Sequence, residues 1–225
     1  MMKNKINTEY ENYKKYLKNY FPQTTLLSKV DTAEFKFFFD RTLTFSKICD
    51  CLSDNNICSE YTNLISYNLN NLLYFLPLNE KISINMSIRN SVEYLIKLIN
   101  HFQNPDKSFL NDGYRSLKDK RNTLDAYQYY KNEIDLLFNI YAIHSNNIHL
   151  KNITGCNLSD ILEDKLKNAS IDTKNLKEFS DNIDNSLDIF FNCILYYKIN
   201  LSTAEKLSLG NLVSTKRKNQ IYKEN

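Results

Sequence analysis

The chain has 225 residues, 42% apolar and 24% charged, with a mean hydropathy of −0.50; this excludes a lipid-embedded protein and an acidic disordered one, and leaves material for a sizeable core. Three glycines and three prolines are too few for the tight turns of a sheet protein, so composition favours helices. The net charge of +3 is uneven: residues 1–30 carry six lysines against two glutamates, and residues 201–225 five basic against two acidic side chains, as solvated, frayed ends do.

The N-terminal stretch lacks the apolar run of a signal peptide, and no stretch of 18 apolar residues occurs, so a cytoplasmic protein without membrane contact is expected. Five cysteines (Cys49, Cys51, Cys58, Cys156, Cys193) are an odd number in a chain large enough to need no staple, which fits free, buried thiols.

Apolar residues recur at steps of three and four throughout. Thr8-x-x-Glu11 has the pattern of a capping box that opens a surface helix ending at Pro22. Asp31-x-x-Glu34 opens a second helix with Phe35, Phe38, Thr42, Phe45, Cys49 and Leu52 on one face. A third runs from Ile57 to Leu76, stopped by Pro77, and a fourth from Lys81 to Phe102 presents Ile88, Val92, Leu95, Ile99 and Phe102. After the Asn104-Pro105-Asp106 break, residues 112–122 form a short helix or ordered loop. The helix from Thr123 to His149 is apolar on two sides (Tyr127, Tyr130, Ile134, Leu137, Tyr141 and Ile148; Leu136, Ile140 and Ile143) and is predicted to sit in the middle of the fold. A short helix near 159–168 follows Gly155, then a long one over 173–198; Ser202-x-x-Glu205 caps a terminal turn that Gly210 ends. The sum is an all-α, single-domain bundle of five or six main helices.

The glycines lie too far apart for a phosphate-binding loop. Cys49-x-Cys51 with Cys58 lacks a second ligand pair, and His144 and His149, five apart, point roughly 140° from each other on a helix, so no metal is expected. Glu163-Asp164-Lys165 has the acidic-x-Lys spacing of some metal-dependent nucleases, but no strand to carry it. Asp181, Asp184 and Asp188 read as a solvated helix face. In Tyr114–Lys131 (YRSLKDKRNTLDAYQYYK), cations and tyrosines interleave as in single-strand binders, although aspartates dilute the charge and Tyr127 and Tyr130 fall on the core stripe.

One constellation stands out. Arg89 and Glu93 lie four apart beside the apolar stripe of the fourth helix; Tyr141, Ser145 and His149 follow at steps of four along the central helix. Polar groups that face a core must find partners, so these two helices are expected to pack with Arg89, Glu93, Ser145 and His149 in one network. It serves either as a buried clasp that fixes register or, if open to solvent, as an active site.

The run Ser83–Phe102 (SINMSIRNSVEYLIKLINHF), the Asn104-Pro105-Asp106 break and Tyr141-x-x-His144-Ser145-x-x-Ile148-His149 together resemble a group of functionally unassigned bacterial helical proteins near the HEPN-like domains. That group carries an R-x3-E helix and a Y-x2-L-S-x2-V-H helix; the likeness covers residues 60–150, and His144 stands where the group prefers leucine. It implies a HEPN-like bundle, placed at residues 31–200, and leaves the flanks unassigned; by their own charge and periodicity residues 1–30 read as a basic helical extension and 201–225 as a short helix with a basic tail. It also implies a setting in antiviral (phage) defence, toxin–antitoxin pairs or mobile elements. The R-x4-6-H signature of HEPN ribonucleases is missing: none of the five arginines has a histidine at that distance, and Arg89 and His101 are separated by eleven residues. Two functions follow. One is a non-catalytic module that binds a partner protein, RNA or a nucleotide without a cofactor, as a monomer or a homodimer. The other is a metal-independent, RNA-directed ribonuclease with Arg89 and His149 as its acting pair, assisted by Glu93, Ser145 or Tyr141.

Overall fold

The apolar periodicity becomes helix nearly everywhere. The computed structural model describes residues 2–148 and 173–223. Of these, 79% are helical, and no strand occurs among them. The helices are α1 (Met2–Tyr20), α2 (Ala33–Cys51), α3 (Ser59–Phe75), α4 (Lys81–Gln103), α5 (Tyr114–Lys120), α6 (Lys131–Ile148), α7 (Thr173–Tyr196), α8 (Thr203–Leu212) and α9 (Thr215–Lys223). Nine helices among the described residues exceed the expected five or six: six are long, and α5, α8 and α9 add short segments of 7, 10 and 9 residues. The candidate helix at 159–168, Gly155, Cys156, the Glu163-Asp164-Lys165 triplet and His149 lie outside the described residues.

The centre of the bundle is α4, not the helix before His149. α4 packs against α3, α6 and α7, and buries 13 of its 23 residues, whereas α6 buries six of 18. Its sequence conceals this because Asn85, Ser87, Ser91 and Asn100 look like surface residues. Each instead donates to a carbonyl one turn back, Ser87 to Ser83 (2.8 Å), Ser91 to Ser87 (2.9 Å), Asn100 to Ile96 (2.9 Å) and Asn85 to Lys81 (2.7 Å), so these four side chains are buried with partners.

Helix starts obey local chemistry with three corrections. α1 begins at Met2 and runs through Thr8, so Thr8-x-x-Glu11 is not its cap. α2 is capped by Thr32 rather than Asp31: the Thr32 side chain accepts from the Phe35 N–H at 3.3 Å. α6 starts at Lys131 instead of Thr123, because Leu124 leaves the helical region (ψ 126°) to bury its side chain. The next two N–H groups go to tertiary partners, Asp125 to Gln103 Oε1 and Ala126 to the Tyr197 hydroxyl. The capping box at α8 is complete, with Ser202 Oγ on the Glu205 N–H (3.2 Å) and Glu205 Oε2 on the Ser202 N–H (2.6 Å). Gly210 does not end that helix; it lies inside α8, where a Cβ would stand 3.1 Å from the Tyr222 ring of α9.

Candidate functional site

The antiparallel seam of α4 and α6 brings Arg89, Glu93 and Tyr141 together. Arg89 Nη2 donates to Glu93 Oε2 (3.3 Å) and to the Tyr141 hydroxyl (2.5 Å), and its guanidinium carbon lies 4.8 Å from the Tyr141 ring centroid. Tyr141 in turn stacks on Tyr114 of α5, with centroids 3.8 Å apart and planes within 7°. On the other side, Lys97 Nζ reaches Glu93 Oε1 at 2.8 Å and donates to the Leu110 carbonyl at 2.8 Å. Glu93 is therefore shared by two cations from its own helix, four residues before it and four after. Burial deepens along the row, from 27% side-chain exposure at Arg89 to 17% at Glu93 and 6% at Lys97.

Of the five residues read from sequence, the structure joins three. Ser145 is half-buried on α6 and stays out of the hydrogen-bonded set, and His149 lies outside the described residues. Lys97 and Tyr114 were missed. Lys97 sits four residues after Glu93, a spacing visible in the sequence, while Tyr114 comes from across the Asn104-Pro105 break and no local pattern assigns it. The Nε of Arg89 is buried without a hydrogen-bond partner, so the guanidinium is only partly engaged.

A second polar layer lies one turn along the same seam. His144, fully buried, has Nδ1 2.7 Å from Asn85 Oδ1 and Nε2 3.1 Å from Asn182 Nδ2 of α7. Asn85 spends its amide on the Lys81 carbonyl, so its oxygen must accept; the imidazole is therefore the neutral Nδ1–H tautomer with Nε2 accepting from Asn182. Burial pushes its pKa down to about 4. The residue that departs from the resembled pattern thus ties three helices together.

The remaining candidates disperse. Cys49, Cys58 and Cys193 are buried and Cys51 is half-buried; burial raises the Cys58 and Cys193 thiols to about 12, far from reactive thiolates. No group of three metal-ligating side chains gathers among the described residues, and no helix of those residues is long and apolar enough to cross a membrane. The acidic stripe of α7 is not merely solvated, since Asp184 pairs with Arg41 of α2 (3.2 Å) and Asp188 with Arg217 of α9 (2.8 Å). In the Tyr114–Lys131 segment, Arg121 binds Asp135 (3.0 Å) and Lys120 binds Asp112 (2.7 Å), so two of its cations are engaged internally.

Comparison of the chain with family models, with curated proteins and with solved structures returns no match.

Proposed function

We propose that the protein is a non-catalytic, HEPN-like helical binding module for a partner protein or an RNA, working in an antiviral-defence, toxin–antitoxin or mobile-element setting. The observation that supports it is the state of the Arg89 cluster. Its one carboxylate, Glu93, is held between two cations, and the one described histidine of α6, His144, is sealed and neutral in a separate layer. Neither is set up to exchange a proton with a substrate. The test is incubation of the purified protein with single-stranded RNA in the presence of a chelator. The expected outcome is intact RNA; cleavage that disappears in a folded Arg89→Ala variant would defeat the reading.

One observation favours the second function, an RNA-directed, metal-independent ribonuclease using Arg89 with His149. The Arg89 guanidinium side chain retains 27% exposure, which suits an arginine that binds a phosphate. Under that reading Arg89→Ala and His149→Ala abolish cleavage equally and leave the melting temperature near that of the parent.

A further inference from the structure

Past Glu60, helix α3 offers solvent no charge: residues 61–79 contain neither an acidic nor a basic side chain, although the outer face of a surface helix is ordinarily a charged one. What this face exposes is aromatic. Tyr67 is 63% and Tyr74 51% exposed. Seven residues apart, the two rings leave the same side of α3, separated by about 10.5 Å along its axis.

Helix α1 adds a third ring. The Tyr13 hydroxyl of α1 donates to the Leu73 carbonyl (2.6 Å), and just past α1 the Thr24 hydroxyl donates to the Pro77 carbonyl (2.8 Å), which seats the end of α1 beside the end of α3. Tyr16 lies at this junction. Its ring is 5.2 Å from that of Tyr20 and 5.5 Å from that of Phe21. Its phenol pKa is raised by burial and by the neighbouring phenols of Tyr74 and Tyr20, so the three belong to one patch. Tyr20 is 71% exposed. The hydroxyls of Tyr20, Tyr67 and Tyr74 make no hydrogen bond among the described residues.

We propose that Tyr67, Tyr74 and Tyr20 form a docking row for a proline-rich segment of a partner protein in the polyproline II conformation. Such a segment repeats every three residues, or about 9.3 Å, near the spacing of about 10.5 Å between Tyr67 and Tyr74, so successive turns meet successive rings. It has no internal hydrogen bonds, and its carbonyls are open to the three hydroxyls, whereas a partner helix spends its carbonyls internally. Prolines and tyrosine rings are both stiff, so little conformational freedom is lost on docking. The uncharged face suits an uncharged ligand. A nucleic acid would need cations beside the rings, and Lys15 and Lys18 lie roughly 140° and 160° around α1 from Tyr20. The row shares no residue with the Arg89 cluster, so it and the reading above fail separately.

The test is fluorescence polarisation of the full chain with labelled decaproline, a labelled Gly-Ser peptide of equal length, and labelled single-stranded RNA. Decaproline should bind saturably and the Gly-Ser peptide should not, and salt should change the affinity little because no ion pair is formed. Tyr20→Ser, Tyr67→Ser and Tyr74→Ser should each weaken binding about tenfold with the melting temperature unchanged. Tyr129→Ser, which removes an exposed ring outside the row, should leave binding as in the parent. Absence of decaproline binding overturns the proposal, as does binding that survives Tyr67→Ser and Tyr74→Ser. It is equally overturned if decaproline does not bind and the same substitutions instead abolish RNA binding, or dissolve a dimer seen by sedimentation, since the row then serves a nucleic acid or a second copy.

Discussion

Glu93 receives Arg89 from one turn before it and Lys97 from one turn after, and the two cations differ in burial. A sequence reading with only Arg89 as partner makes Arg89→Ala the damaging change, because it strands a carboxylate. With Lys97 in place the carboxylate keeps an ion pair, so Arg89→Ala should cost only about 1–2 kcal/mol, the worth of a half-exposed pair plus a ring contact. Glu93→Ala leaves Lys97, 5% exposed, without its carboxylate, facing the Leu110 carbonyl and the Tyr94 ring, and should cost about 3–5 kcal/mol. Thermal melts of the two variants check the order; equal losses would contradict it. His144 gives a pH dependence of definite sign. Its folded pKa of about 4 lies below the ordinary 6.5, so between those values the unfolded chain binds the extra proton and stability falls as the solution is acidified. The contribution is complete above pH 6.5, and the loss amounts to something on the order of 3 kcal/mol by pH 4. Asp40 and Asp184, both raised by burial, work in the opposite sense in the acid range and soften the slope. Denaturant titrations at stepped pH should show that His144→Leu flattens the decline across this window, and an unchanged decline would remove His144 from the account.

At the scale of the element, the C-terminal pair α8–α9 depends on two small features. Ser202 and Glu205 satisfy each other's backbone N–H groups at the start of α8, and Ser202→Ala should cost about 1 kcal/mol, read as a shift in the denaturation midpoint. Gly210 lets the Tyr222 ring approach the α8 backbone. In an exposed helix Gly→Ala would stabilise by about 1 kcal/mol, but here the new methyl meets ring atoms at 3.1 and 3.2 Å. Gly210→Ala should therefore fail to stabilise and should displace α9, seen as increased exchange of α9 amide hydrogens. An ordinary gain in stability with unchanged exchange would mean that the ring moves aside freely.

At the scale of the whole molecule, both ends of the described chain reach the same core. Tyr10, Leu17, Leu26 and Val30 are buried with α2, the Tyr10 hydroxyl donates to the Val30 carbonyl, and Leu209 and Ile221 belong to the same cluster as the centre of α4. Although basic in composition, residues 1–30 cover Phe35 and Phe39, whose rings lie 6.1 and 5.1 Å from Tyr10. Deleting them should lower the melting temperature markedly by uncovering that apolar surface, whereas a dispensable extension would leave the melt in place.

Much of the fold was legible because helix formation and termination are local. The stripes of α2, α3, α4 and α7, the stops at Pro22 and Pro77 and the capping box at Ser202 depend on neighbours within one or two turns. The pairing of Arg89 with Glu93 was legible for the same reason, being a single turn of one helix. What the sequence could not decide was which helix lies in the middle, since hydroxyl and amide side chains on α4 bury by returning hydrogen bonds to their own backbone, which composition does not distinguish from exposure. Nor could it place Tyr114 on Tyr141, seat His144 between Asn85 and Asn182, or make Gly210 a seat for Tyr222 rather than a stop. Those contacts join residues far apart in the chain, and only the packing of whole helices, driven by burial of their apolar faces, brings them together.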